Sequence, residues 1–275
     1  MRIALYQART GIDPATNAQG LVEAVASAAA GGAEMLFTPE MSGLLDQDRS
    51  RARPHLRSEA DDVVLAAIAA SAAEHGIWVH LGSLALLAET QDRLINRGFL
   101  IDAGGRIRAR YDKMHLFDVD LPTGESWRES ASYRAGTGPV VAASPAGPLG
   151  LSICYDLRFP DLYRILTDAG ATLLSVPAAF TVPTGRDHWH VLLRARAIEA
   201  GAFVVAAAQA GHHEDGRHTY GHSLVVDPWG RVLLDMGDRN GIDFCDLDPG
   251  EVERVRSRLP AIRHRREIGP AEIVQ

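Results

Sequence analysis

The chain has 275 residues, a formal net charge of −7 and an isoelectric point near 5.9. That acidity argues against nucleic acid or an anionic membrane surface as a partner, since both require a basic face. Hydrophobic residues at 46% and charged residues at 23% are globular proportions, enough for a sizeable core, and no stretch approaches the roughly 20 apolar residues of a membrane helix.

In chain order, "RIALYQA" reads as a strand, not as a secretory leader. Asp13-Pro14 opens a helix, with an Asp cap and Pro in the first turn, that Gly31-Gly32 closes. "AEMLFTPE" is a short buried strand ending at Pro39-Glu40. Ser58 to His75 is a second helix stopped by Gly76, followed by the strand "IWVHLGSL". "LINRGFLID", a turn at "AGG" and "RIRARYDK" make a hairpin. Residues Met114 to Gly138 lack clear periodicity, but Phe117, Trp127 and Tyr133 mark the segment as ordered. The second half alternates again: strand "GLSIC", helix "FPDLYRILTDAG", strand "ATLLSVPAAF", helix "DHWHVLLRARAIEAG" and strand "AFVVAAAQA". It closes with a hairpin around Asp227-Pro228-Trp229-Gly230, a last strand "IDFCDLD" and a last helix "PGEVERVRSRL". Strands as apolar as "FVVAAA" imply sheets covered on both faces, and the hairpins make them mixed. No linker or repeat divides the chain, so residues 1–275 read as a single α/β domain.

Three residues, Glu40, Lys113 and Cys154, each close a predicted strand and open a loop. In layered α/β folds functional groups gather beyond the carboxyl ends of strands. A thiol attacks well only as thiolate, and its ordinary pKa is about 8.5. A carboxylate that takes the proton at the moment of attack, and an ammonium that stabilises the oxyanion, would complete a nucleophilic site. Each residue also has a structural reading: Cys154 as core packing, Glu40 as a loop charge, Lys113 as a surface ion pair with Asp112.

Local motifs decide between these readings. "FTPEMSG", "YDKMHLFDVDLPTGESWRES" and "LSICYDLRFPDLYR" resemble the three catalytic segments of the nitrilase superfamily of carbon–nitrogen hydrolases, and the resemblance runs from "IALYQ" to "DPGEVERVRSRLP". It implies a four-layer α-β-β-α sandwich (a nitrilase-like fold) that dimerises through a shared interface, and no metal or organic cofactor. It assigns the general base to Glu40, the lysine to Lys113, the nucleophile to Cys154 and a second, lysine-positioning glutamate to Glu129, with Glu125 as the competing choice. The Tyr155 backbone N–H would serve the oxyanion. The second half looks like the ω-amidase-like branch, closest to deaminated glutathione amidases. The implied reaction cleaves a linear amide through a Cys thioester, giving α-ketoglutarate and cysteinylglycine. An ω-amidase acting on α-ketoglutaramate or α-ketosuccinamate, an N-carbamoyl-amine hydrolase and, at greater distance, a nitrile hydrolase are the other enzyme readings. A catalytically dead scaffold is the reading from another class, and the intact Glu40, Lys113 and Cys154 argue against it.

An acidic substrate also fits the residues directly. Arg158 lies four positions after Cys154 and could clamp a carboxylate; a structural pair with Asp156 or Asp161 is the alternative. Tyr155, Phe180 and Thr181 are the other expected substrate contacts. His188 and His190 do not share a helical face, and His212, His213 and His218 fall in a polar loop and read as solvated, so no metal is expected. Arg194, Arg196 and Glu199 read as structural ion pairs on a helix, and Cys245 as core. With two cysteines and no CxxC pair, the chain reads as a cytoplasmic protein with reduced thiols. Its expected partners are a small carboxylate-bearing amide and a second copy of itself.

Overall fold

A computed structural model describes residues 1–89, 93–121 and 124–274. Strand β1 (Arg2–Gln7), helix α1 (Pro14–Ala30) and strand β2 (Met35–Phe37) are followed by a short helix α2 (Arg49–Ala52), then α3 (Val63–His75), β3 (Trp78–Leu87), β4 (Leu94–Ile101) and β5 (Ile107–Asp112). A small hairpin, β6 (Asp118–Asp120) with β7 (Ser126–Arg128), precedes β8 (Val140–Ser144) and β9 (Gly147–Leu151). Then come α4 (Pro160–Asp168), β10 (Leu173–Ser175), a single turn α5 (Val182–Thr184), α6 (His190–Ala200) and β11 (Phe203–Ala206). A hairpin of β12 (Ala210–His212) and β13 (His218–Tyr220), strands β14 (Leu224–Val226), β15 (Val232–Asp235) and β16 (Gly241–Asp246), and helix α7 (Gly250–Arg258) complete the chain.

Two mixed six-stranded sheets result, ordered β16-β1-β2-β3-β4-β5 and β15-β14-β11-β10-β9-β8. Strand alternation builds the layers. In β1, Ile3 and Leu5 join the core shared with the second sheet, whereas Ala4 between them faces the cluster under α1 and α3. On the far side Leu162 and Leu166 of α4 and Leu193 and Ala197 of α6 cover the second sheet. The order of layers is therefore helix, sheet, sheet, helix: the α-β-β-α sandwich. All four residues of β11 are buried, as its unbroken apolar run requires.

Several local expectations change. The helix expected from Ser58 begins at Val63, because Asp62 caps it by accepting the Leu65 N–H at 2.8 Å. The strand expected through Glu40 stops at Phe37. Helical structure before α6 starts earlier than expected, with a wide π turn over Gly185–Trp189. The aperiodic segment contains the β6–β7 hairpin, and β8 was not anticipated at all. Pro122 and Thr123 of the lysine motif lie outside the described residues.

Candidate active site

The two sheets deliver their strand ends to one place. Gly82 makes this possible: a Cβ there would stand 2.2 Å from Thr38 O, 2.4 Å from Pro39 O and 2.6 Å from Pro177 Cβ. Only glycine lets the loop before Glu40 and the loop after β10 approach β3 this closely.

At this junction Glu40, Lys113 and Cys154 are all buried, at 4%, 3% and 8% exposure, so their ionisation is set by one another and not by solvent. Lys113 Nζ donates to Glu40 Oε1 at 2.9 Å and to Glu129 Oε1 and Oε2 at 3.1 and 2.9 Å. Glu129 also accepts the Phe117 N–H at 2.6 Å. Glu125, the competing glutamate, is exposed. Glu40 Oε2 accepts the Ala179 N–H at 3.0 Å, Oε1 accepts Asn96 Nδ2 at 2.8 Å, and the Glu40 charge acts on the neighbouring Cys154 thiol. Gln209 Nε2 holds the Glu40 carbonyl at 2.9 Å.

Burial works against charge on every member, and the neighbours decide the outcome. Burial by itself would raise the Glu40 carboxyl, but the Lys113 charge and hydrogen bonds from Lys113 and Asn96 hold it below its ordinary value. Burial would lower the Lys113 ammonium, yet Glu129 and Glu40 keep it well above. For Cys154 burial and the Glu40 charge act together and push the thiol well up. At neutral pH the site therefore holds a carboxylate, an ammonium and a protonated thiol. A carboxylate so placed could accept the proton that a thiol must lose before its sulfur attacks.

The backbone presenting Cys154 is held from several sides. Cys154 adopts φ +48°, a left-handed conformation that costs a non-glycine residue on the order of 1–2 kcal/mol. Its N–H donates to Pro177 O at 2.9 Å. Fully buried Asp156 accepts the Ile153 N–H at 2.9 Å, the Tyr111 hydroxyl at 2.7 Å and the His115 N–H at 3.0 Å, and pairs with His115 Nδ1 at 2.6 Å. Arg196 Nε and Nη2 donate to Leu157 O at 3.2 and 3.0 Å. The strained turn is thus fixed by the surrounding fold, as a preorganised nucleophile requires.

Residues 2–257 match the carbon-nitrogen hydrolase family. The chain belongs to that family. It is 49% identical over 172 residues to the deaminated glutathione amidase of Synechocystis sp. (strain PCC 6803 / GT-S), a match covering 62% of the chain and 63% of that relative. It is 38% identical over 270 residues to the Homo sapiens protein of the same name, covering 96% of the chain and 82% of the relative. Among solved structures the Caenorhabditis elegans NitFhit protein superposes with a TM-score of 0.89 at 38% identity, covering 96% of this chain and 65% of that one.

Around the cluster of this carbon-nitrogen hydrolase, the expected substrate contacts occupy different positions. Arg158 stands 5.9 Å above the Tyr155 ring and 5.5 Å from the Phe180 ring, and its Nη1 lies 3.3 Å from His188 Nδ1. Neither Asp156 nor Asp161 pairs with it, and among the described residues it has no carboxylate partner. Phe180 is buried against Trp189, with ring centroids 4.8 Å apart. The Thr181 hydroxyl is turned to Thr184 Oγ1 at 2.8 Å.

Sequence reasoning missed Asn96, Gln209, Asp156 and the Ala179 N–H as parts of the site. Asn96 left a signal, an amide inside the apolar run "LINRGFLI". Two further expectations are corrected and a third is extended. His213 is not a solvated loop residue: it is buried between Thr10 O at 2.9 Å and Thr219 Oγ1 at 2.8 Å. Arg194 forms no ion pair among the described residues and donates to Gly230 O at 2.8 Å. Arg196 does pair with Glu199, at 2.8 Å, but it also braces the turn behind Cys154.

Proposed function

We propose that the chain is an amidase hydrolysing linear amides through a Cys154 thioester, with deaminated glutathione as its substrate. The observation that carries this reading is the buried Glu40 carboxylate, which accepts a hydrogen bond from the Lys113 ammonium at 2.9 Å and whose charge bears on the buried Cys154 thiol. Glu40 takes the thiol proton as sulfur attacks the amide carbonyl. Lys113 and the Tyr155 N–H stabilise the oxyanion, each such donor contributing roughly 3–4 kcal/mol. Glu40 then returns the proton to the departing nitrogen, the C–N bond breaks, and cysteinylglycine leaves an α-ketoglutaryl thioester. Water, deprotonated by Glu40, attacks the thioester; α-ketoglutarate departs and the thiolate regains the proton. Glu129 keeps Lys113 charged and aimed.

The substrate proposal rests on the names of the relatives and on Arg158, whose guanidinium lacks a carboxylate partner among the described residues and flanks two aromatic rings. A substrate carboxylate would complete it in two-point fashion. Tyr155 and Phe180 would wall the acyl group, with Thr181 behind them.

The chain would work in the cytoplasm as a homodimer; pairing is supported by outward apolar side chains on the outer helices, Ile165 at 51%, Val191 at 66% and Ile198 at 47% exposure. No helix of the described residues is long and apolar enough to cross a membrane.

The test is a substrate panel. Cysteinylglycine release from deaminated glutathione should exceed ammonia release from α-ketoglutaramate, Cys154→Ala should abolish both, and rapid quench should trap an acyl adduct on Cys154. Turnover unchanged in Cys154→Ala would end the mechanism; preference for α-ketoglutaramate would move the substrate to the ω-amidase class.

A further inference from the structure

Away from the buried cluster, three groups distant in sequence converge. Asp235 at the end of β15 lies between His190, the first residue of α6, and His222, in the connection from β13 to β14. Asp235 Oδ2 is 2.9 Å from His190 Nε2 and 3.2 Å from His222 Nδ1. All three candidate ligand atoms lie within 4.8 Å of one another.

We propose that His190, His222 and Asp235 form a zinc site. Zinc bonds of about 2.0–2.2 Å at tetrahedral angles place ligand atoms roughly 3.3 Å apart. The two His–Asp separations need only open by a few tenths of an ångström. The imidazoles then coordinate as neutral tautomers, each with its proton on the other ring nitrogen. Two nitrogens and one oxygen suit zinc over magnesium or calcium, which take oxygen ligands. All three residues retain some exposure, so the metal has an entry path and water completes its fourth position.

The surroundings are built to aim these groups. His222 sits at φ +55°, an unfavourable backbone region for a non-glycine residue, between Gly221 and Ser223. Its ring stacks on Tyr220 at 4.4 Å and meets the His190 ring near edge-on, with centroids 5.1 Å apart and an interplanar angle of 74°. That crossing points nitrogens of both rings at the carboxylate. The Gly237 N–H orients Asp235 Oδ1 at 3.0 Å, the kind of outer support that tunes metal ligands.

The site would act on the pocket wall. His222 O accepts the Trp189 indole N–H at 2.8 Å, and Trp189 packs against Phe180, which lies under Arg158. Zinc would tie the π turn and the start of α6 to β15, steadying the wall on which Arg158 rests.

The test titrates zinc alone into the full chain carrying Cys154→Ser, which removes the reactive thiol as a competing ligand. Competition with a chromophoric chelator should give one zinc per chain. Zinc held near a hundredfold above its Kd should raise Tm by about 5 °C. Cobalt should give visible absorption of four- or five-coordinate geometry. His190→Asn, His222→Asn and Asp235→Asn should each weaken zinc by at least about 100-fold. Asparagine tolerates the positive φ at 222, and circular dichroism of the zinc-free variants reports their folding. The double variant His212→Asn/His218→Asn, which removes the stacked pair of histidines on β12 and β13, should bind as before. No stoichiometric zinc, zinc indifferent to all three substitutions, or zinc lost only with His212 and His218 would each overturn the proposal.

Discussion

Glu129→Gln isolates the charge that holds Lys113. The substitution keeps size and the capacity to accept a hydrogen bond, but replaces a carboxylate that meets Lys113 Nζ at 2.9 and 3.1 Å. Glu129 is only 12% exposed through its side chain, so water replaces little of what is lost. A hydrogen bond to a charged group is worth about 1.5–3 kcal/mol, and each 1.4 kcal/mol is about tenfold in rate. A drop in kcat of roughly 10- to 150-fold is expected, with KM much less affected, because the ammonium is needed most as the oxyanion develops. The charge change also has a sign. Removing one negative group near Glu40 leaves Lys113 as its undivided partner, so the Glu40 carboxyl falls further and becomes a weaker base. Steady-state hydrolysis across the pH range measures both effects. A kcat within threefold of the unaltered protein (about 0.6 kcal/mol) would refute a positioning role for Glu129.

Other outcomes follow from the same geometry. The acid limb of kcat/KM should fall below pH 4.5, the ordinary carboxyl value, because Lys113 depresses Glu40; activity is present above that limb and lost as pH drops through it. No alkaline limb from Lys113 should appear up to pH 10.5, since that ammonium is raised well above its ordinary value; an acid limb near 6 or an alkaline limb near 9 would contradict the assignments. Arg158→Gln should raise KM for keto-acid amides about 10-fold or more while kcat on a small neutral amide changes little, as competition between the two substrates will show. Gly82→Ala should yield little soluble protein or an inactive one, because its Cβ meets backbone carbonyls at 2.2 and 2.4 Å; full activity with an unchanged melting temperature would mean the loops yield more readily than the packing implies.

The sequence showed where chemistry could be carried but not how it would be assembled. Glu40, Lys113 and Cys154 could be singled out because each follows a strand-like run and sits in a recognisable motif. Asn96 reaches Glu40 across 56 positions, the Ala179 N–H across 139 and Gln209 across 169, and no local pattern encodes such contacts. The same holds for Asp156, weighed in sequence only as a neighbour of Arg158 and found on Tyr111, His115 and Ile153.

Residue order alone determined the alternation of strands and helices, the α/β class and the three motif segments, because periodicity, caps and glycine stops act over a few residues. Tertiary structure decided which glutamate meets Lys113, that Arg158 stands free of its aspartate neighbours, and that His190 finds His222 and Asp235. Those outcomes depend on sheets stacking and loops converging at glycines, and ionisation in the buried cluster follows only once those distances exist.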